Sequence, residues 1–145
     1  MIRPIKISDA NRVYDISKNA FFKAKSVGQL VKDIEENSFL KSFVYEENGV
    51  ILGYYISSMI LDIAELFTIA VDQNYRKQKI GSYLLDHLIN RCKDSDIKEI
   101  WLEVSTKNEA AINLYEKYGF TKDGLRKNYY QQLGEDAYNM KRKLK

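Results

Sequence analysis

The spacing of apolar side chains changes several times along the chain, and each change predicts an element. Leu66 to Val71 is a short apolar run with β-branched Thr68, Ile69 and Val71, bounded by Asp72, Gln73 and Asn74, which predicts a buried strand meeting a turn. From Ile80 the spacing becomes helical. Ile80, Leu84, Leu85 and Leu88 share a face that packs inward, leaving Tyr83, Asp86, His87 and Asn90 to look outward. Upstream, Ile2 to Ile7 alternates as a short edge strand, where Pro4 is tolerated because an edge needs no donor from it. Ser8 and Asp9 can cap a helix whose inner face is Val13, Ile16, Ala20 and Phe21. Ser26 and Gln29 form a capping box for a second helix that buries Leu30, Val31 and Ile34.

Two strands, Phe43 to Tyr45 and Val50 to Ser58, flank Asn48-Gly49, a hairpin signal because both turn residues favour positive φ. Glu99 to Ser105 predicts another strand, and Asn108 can cap a helix carrying Ala111, Leu114, Tyr115 and Tyr118 that Gly119 stops. Phe120 to Tyr130 and Asp136 to Leu144 close the chain as strands around a polar loop, Gln131 to Gly134. The order is β-α-α-β-β-β-α-β-α-β-β, an α/β (α+β) pattern. Strands surrounding interior helices imply a mixed sheet covered on both faces.

Composition narrows the chemistry. At 145 residues, 45% hydrophobic and 30% charged, one domain spanning residues 1–145 is expected, and neither a membrane-spanning run nor a signal-peptide core is present, so a cytoplasmic protein is expected. Cys92 is the only cysteine and His87 the only histidine, which leaves no disulfide and no cysteine metal cluster and argues against serine-histidine, cysteine-histidine and multi-histidine metal arrangements. Cys92 falls on the apolar side of its helix, as an inert thiol does. A net charge of +3 suits a polyanionic ligand but falls short of a dedicated nucleic-acid binder, and the basic tail Lys141 to Lys145 reads as a solvated end.

The loop between strand and helix is Tyr75-Arg76-Lys77-Gln78-Lys79-Ile80-Gly81-Ser82. The first amides of a helix lack intrahelical partners and sit at the positive end of the peptide dipoles, so a phosphate here satisfies both. Arg76, Lys77 and Lys79 add charge; a solvated basic turn is the other reading. Neither Gly-x-x-x-x-Gly-Lys-Ser/Thr nor Gly-x-Gly-x-x-Gly occurs.

Arg76-Lys77-Gln78-Lys79-Ile80-Gly81 resembles the Arg/Gln-x-x-Gly-x-Gly/Ala pyrophosphate loop of the GNAT superfamily of N-acetyltransferases, with Lys79 at the first glycine position. If that position needs a positive φ, the lysine costs about 1 kcal/mol while its amide stays available. Leu102-Glu103-Val104 through Asn108, Tyr115 and Gly119-Phe120 is similar to the second signature of that family. The resemblance implies a central, mostly antiparallel sheet of six to seven strands with about four helices, and acetyl-coenzyme A as donor. It further implies coenzyme contacts from Ile69, Ala70, Val71, Arg76, Lys77, Gln78, Lys79, Ile80, Gly81, Ser82, Asn108 and Tyr115. In the family the strand matching Leu66 to Val71 splays from its parallel neighbour and exposes amides near Ala70 and Val71.

Acetyl transfer to an amine needs a proton acceptor, an oxyanion site and a proton donor for the leaving thiolate. Glu103 stands in an otherwise apolar strand, where partial burial would raise its pKa; plain alternation onto a solvated face is the alternative. Glu65 is a second candidate for base or amine binding, or a solvated strand end. Tyr115 lies on the buried face of its helix; pattern makes it a core tyrosine, and resemblance makes it the acid beside the coenzyme sulfur.

Gly124 to Tyr130, Glu135-Asp136-Ala137 and Met140 resemble the ribosomal-protein-alanine N-acetyltransferases, the RimI family, over roughly residues 64 to 142. That resemblance implies an N-terminal alanine of a small-subunit ribosomal protein as acceptor. Tyr129 and Tyr130 would clamp a peptide terminus and Glu135 or Asp136 attract a following basic residue, unless they serve sheet packing and a solvated hairpin. A small amine or lysine acceptor, and a non-catalytic acyl-coenzyme A sensing or RNA-associated module, stay open. A monomer or weak dimer is expected.

Overall fold

The computed structural model describes residues 1–20, 24–130 and 135–145, with residues 127–130 described in backbone only. The strands are β1 (Ile2–Pro4), β2 (Leu40–Glu47), β3 (Val50–Ile60), β4 (Ile63–Val71), β5 (Glu99–Ser105), β6 (Thr121–Tyr130) and β7 (Glu135–Lys143). The helices are α1 (Ala10–Ala20), α2 (Val27–Glu36), α3 (Ile80–Asp94) and α4 (Glu109–Lys117), with 3-10 turns at Ile7–Asp9 and Gln73–Tyr75. The strands hydrogen-bond in the order β1-β2-β3-β4-β5-β7-β6, in which β4 and β5 pair in parallel. The element order and the mixed sheet are those the apolar spacing predicts. The chain packs as two compact units, Met1–Ser58 with Phe67–Arg91, and Met59–Leu66 with Cys92–Lys145.

In the first unit β3 is buried along nearly its whole length, because both of its faces are covered. Val44, Tyr54, Ile56 and Ala70 pack with Val13 and Ile16 of α1 and Leu30 of α2. The alternate residues face α3: a Cβ on Gly53 would lie 3.1 Å from Leu84 Cδ1, and the hydroxyl of Tyr55 meets His87 Nδ1 at 2.8 Å. Asn48 and Gly49 both take positive φ, 52° and 79°, closing the predicted hairpin.

The first strand is shorter than its alternation suggests. Asp9 turns back so that its carboxylate accepts the Lys6 N–H at 2.7 Å and pairs with Arg3 at 2.8 Å, which pulls Ile7 to Asp9 into a 3-10 turn. Ser26 caps α2 through the Gln29 N–H at 3.1 Å, as its sequence position requires. Phe21 lies outside the described residues.

His87 corrects the outward placement read from helical spacing. It is half-buried: Tyr55 bonds it, the Phe43 ring lies 4.8 Å away, and burial followed by the charge of Arg91 pushes its pKa down. Cys92 is buried beside the other apolar residues of α3. In the second unit β5 alternates cleanly, with Ile100, Leu102 and Val104 buried and Glu99, Glu103 and Ser105 half-buried on the other side.

Candidate active site

The loop before α3 belongs to the first unit. Asp72 accepts the Asn74 N–H at 2.8 Å and the guanidinium of Arg12, and Arg12 also donates to the Ile51 carbonyl at 3.0 Å. The Asn74 amide first, and Arg12 after it, hold the Asp72 carboxyl below the usual carboxylate range against the opposing effect of burial. From this anchored turn the chain runs through Arg76 to Lys79, all exposed. Lys77 and Lys79 take left-handed φ of 71° and 65°. The Lys79 carbonyl then accepts the Tyr83 N–H at 3.0 Å, which begins the hydrogen-bonded helix.

The N–H groups of Ile80, Gly81 and Ser82 therefore stand in the first turn of α3 with no acceptor inside the helix. Three cations beside first-turn amides fit a pyrophosphate. Ile80 is buried and seats this turn on β3 at Gly53, where a Cβ would meet the Ala70 carbonyl at 3.0 Å. The glycine is thus what allows the helix start to lie so close to the strands, a requirement invisible in the loop's own residues.

The second unit holds the carboxylates. β4 pairs with β5 from Ile63↔Glu99 to Leu66↔Leu102, so Glu65 lies opposite Trp101 and shares its face with Glu103. Burial, and then the charge of Glu103, push the Glu65 carboxyl above the usual range. β7 pairs Asn139 with Glu103, and Arg126 of β6 reaches Glu103 Oε1 at 3.4 Å. The other oxygen, Oε2, is buried and has no hydrogen-bond partner among the described residues. The ion pair was not legible in the strand pattern, since Arg126 lies 23 residues away.

Asn108 caps α4 with both its groups: Oδ1 accepts the Ala111 N–H at 3.2 Å and the backbone carbonyl accepts the Ile112 N–H at 3.0 Å. Tyr115 is buried, with its ring tilted against Phe120 at 5.8 Å. The end of α4 is fastened by Arg142, whose Nη1 donates to the Tyr118 carbonyl at 2.8 Å. Arg142 pairs with Ile100, so α4 covers the face of β5 opposite to Glu103. Gly119 follows at φ 87°, the left-handed stop its sequence position predicts.

Within the second unit, then, Glu65 and Glu103 come together on one face, while Asn108 and Tyr115 belong to the helix on the other. Ile69, Ala70, Val71 and the residues from Arg76 to Ser82 are in the first unit. Glu135 is half-buried and pairs with Tyr130 across the last hairpin. The side chains of Tyr129 and Tyr130 lie outside those described.

The profile of the Acetyltransferase (GNAT) family matches residues 10–120. This chain belongs to that family. The acetyltransferase is 43% identical over 101 residues to the Escherichia coli (strain K12) [ribosomal protein bS18]-alanine N-acetyltransferase, covering 68% of either protein. With the protein of the same name from Haemophilus influenzae it shares 36% over 130 residues, 90% of this chain and 87% of the relative. Its fold superposes on the crystal structure of the ribosomal-protein-S18-alanine N-acetyltransferase from Escherichia coli with a TM-score of 0.90 at 34% identity, covering 99% of this chain and 93% of the other. It is an N-acetyltransferase of the GNAT fold, with the seven-stranded, mostly antiparallel sheet and four helices that the sequence resemblance implied. Among the described residues no helix is long and apolar enough to cross a membrane.

Proposed function

We propose that this acetyltransferase transfers acetyl from acetyl-coenzyme A to an N-terminal α-amine, and that its acceptor is the N-terminal alanine of a small-subunit ribosomal protein. The names of the relatives, which act on the alanine of bS18, support the acceptor. The observation that carries the chemistry is the Oε2 of Glu103, buried beside Glu65 and without a hydrogen-bond partner among the described residues. A carboxylate oxygen without a donor is where an amine or its bridging water is to be expected.

The thioester of the donor supplies the acetyl group and a thiolate that leaves. The amides of Ile80, Gly81 and Ser82, with Arg76, Lys77, Gln78 and Lys79, bind the pyrophosphate. The backbone of Ile69, Ala70 and Val71 and the side chain of Asn108 orient the rest of the coenzyme arm. Glu103 takes the proton of the acceptor amine, directly or through water, and Tyr115 gives its hydroxyl proton to the thiolate. α4 and Glu103 occupy opposite faces of β5, so base and acid act from different sides of that strand, and direct attack in a ternary complex requires acceptor nitrogen and thioester carbon to meet between them.

The acceptor class agrees with the strength of the base. An α-amine with pKa near about 8 is roughly one-tenth neutral at pH 7, whereas a lysine side chain near about 10.4 is below about one-thousandth. A glutamate suffices for the former. Glu135, half-buried at the start of β7, attracts a basic residue after the terminus in this reading.

The test is thiol release at neutral pH with a peptide beginning Ala-Arg, its N-terminally blocked twin and a panel of small amines. Turnover of the free peptide alone is expected, with a loss of about 100-fold or more in Glu103→Gln and in Tyr115→Phe. Turnover of the amines in place of the peptide would refute the acceptor, and full activity in either variant would refute the role of that residue.

A further inference from the structure

Arg126 and Glu103 stand on strands that are not neighbours. β7 runs between β5 and β6, and there Ala137 lies opposite both Arg126 and Ser105. A methyl group leaves room above the sheet, so the guanidinium passes over β7 and brings Nη1 to 3.4 Å from Glu103 Oε1. The two ends differ in their surroundings: the arginine side chain is 60% exposed and the glutamate only 28%. An exposed cation meets a carboxylate that is mostly withdrawn from water. Such half-exposed pairs are weak, because water and salt screen the attraction and fixing two long side chains costs entropy.

The glutamate is under-served by this one contact. Oε2 is buried with no donor among the described residues, and Glu65 adds a second carboxyl on the same face. Burial and Glu103 both discourage ionisation of Glu65, which records a local surplus of negative charge. One guanidinium hydrogen bond at 3.4 Å, long for a charged pair, leaves that surplus in place. An alkylammonium group carries three N–H donors on a compact centre, enough for both oxygens of Glu103 and one of Glu65.

We propose that Arg126 occupies, in the acceptor-free enzyme, the position that the acceptor's ammonium group takes, so that acceptors bind as cations by exchange with the arginine on Glu103. The inference rests on the reading of Glu103 as the acceptor-side carboxylate. Arg126 is then a positioning residue: it holds Glu103 Oε1 in the acceptor-free enzyme and gives way at that oxygen when the amine arrives. A neutral isostere of the acceptor, unable to replace the lost charge, is rejected by the same pair. Glu65 sets how strongly the exchange favours a cation, and an N-terminal ammonium and a small alkylammonium are alike in this respect.

The experiment is a double-mutant cycle on binding. Calorimetry on the enzyme saturated with coenzyme A gives the affinity for the free Ala-Arg peptide and for its N-acetylated twin, in wild type, Arg126→Gln, Glu103→Gln and the double variant. Arg126→Gln is expected to tighten the free peptide by about threefold or more, the size of effect an exposed ion pair can withhold. It should leave the acetylated twin unchanged and have no effect in the Glu103→Gln background, while Arg126→Lys restores wild-type affinity. Weaker or unchanged binding in Arg126→Gln, an equal effect in both backgrounds, or no binding of the free peptide to wild type and Arg126→Gln alike would overturn the exchange. Turnover retained in Glu103→Gln would instead refute the base assignment, which the binding cycle does not measure.

Discussion

The Lys79 carbonyl accepts the first hydrogen bond of α3, from the Tyr83 N–H at 3.0 Å, while the lysine's own backbone is left-handed at φ 65°. A lysine here stores strain that glycine would not, and its charge stands where the diphosphate is expected to bind. The two effects separate by substitution. Lys79→Gly should raise unfolding stability by up to about 1 kcal/mol and weaken acetyl-coenzyme A through loss of the charge alone. Lys79→Val should lower both stability and affinity. Urea unfolding beside the KM for acetyl-coenzyme A distinguishes them; a Lys79→Gly protein less stable than wild type contradicts the strain.

Gly53 lies beneath the start of α3, and a Cβ there would come within 3.2 Å of Ile80 as well as 3.0 Å of the Ala70 carbonyl. Gly53→Ala should cost about 1–3 kcal/mol by overpacking, because backbone cannot retreat as a side-chain tip can. The same displacement tilts the first-turn amides, so KM for acetyl-coenzyme A rises with little change in the acceptor KM. Denaturant melts and two-substrate kinetics would check this.

Arg12 ties α1 to the Ile51 carbonyl and to Asp72, the residue that shapes the turn before the loop. Arg12→Met should cost about 1–3 kcal/mol and raise KM for acetyl-coenzyme A more than it lowers kcat, since it acts on the loop's position. An unchanged KM with lowered stability would confine Arg12 to a folding role.

His87 titrates with a depressed pKa, through burial and then Arg91, while Tyr55 bonds its ring and Phe43 packs on it. The folded state binds its proton less readily than the unfolded chain. Its contribution is therefore fully present above the unfolded value of about 6.5 and is lost as pH falls below it. Unfolding free energies measured in steps from pH 7.5 to 5.5 should decline for wild type and decline less for His87→Gln. Equal slopes would mean that Arg91 and Tyr55 stabilise both protonation states alike.

The elements were legible because their signals are local. Ser26, Asn108, Asn48-Gly49 and Gly119 each fix a boundary through backbone needs that a few neighbouring residues reveal. The loop from Arg76 to Ser82 was legible for the same reason. What escaped was carried by pairings across long stretches of chain. Gly53 reads as a weak strand residue until α3 is laid upon it, and Arg126 as an ordinary surface cation until β7 brings it over to Glu103. Helical spacing misplaces His87 because it shows which face is apolar and not what a polar face meets. Tyr55, one residue along from the core-facing Tyr54, supplies that partner.

The register of β6 shifts between Lys122 and Gly124, which pairs Lys122 with Met140 and Gly124 with Asn139 and passes over Asp123 as the extra residue. Every side chain after that extra residue changes sides. Arg126 thereby comes to lie opposite Ala137 and over Glu103; were Asp123 paired in turn and the bulge absent, Leu125 would take its place and an apolar side chain would meet the carboxylate. The charge beside Glu103 is thus encoded by the register of β6 as much as by residue type. A change that abolishes the bulge while keeping every residue, and touches neither Glu103 nor Tyr115, would redraw the acceptor side of the enzyme. Relatives whose strand matching β6 pairs in turn, without a bulge, are expected to differ in acceptor even where Glu103 and Tyr115 are retained.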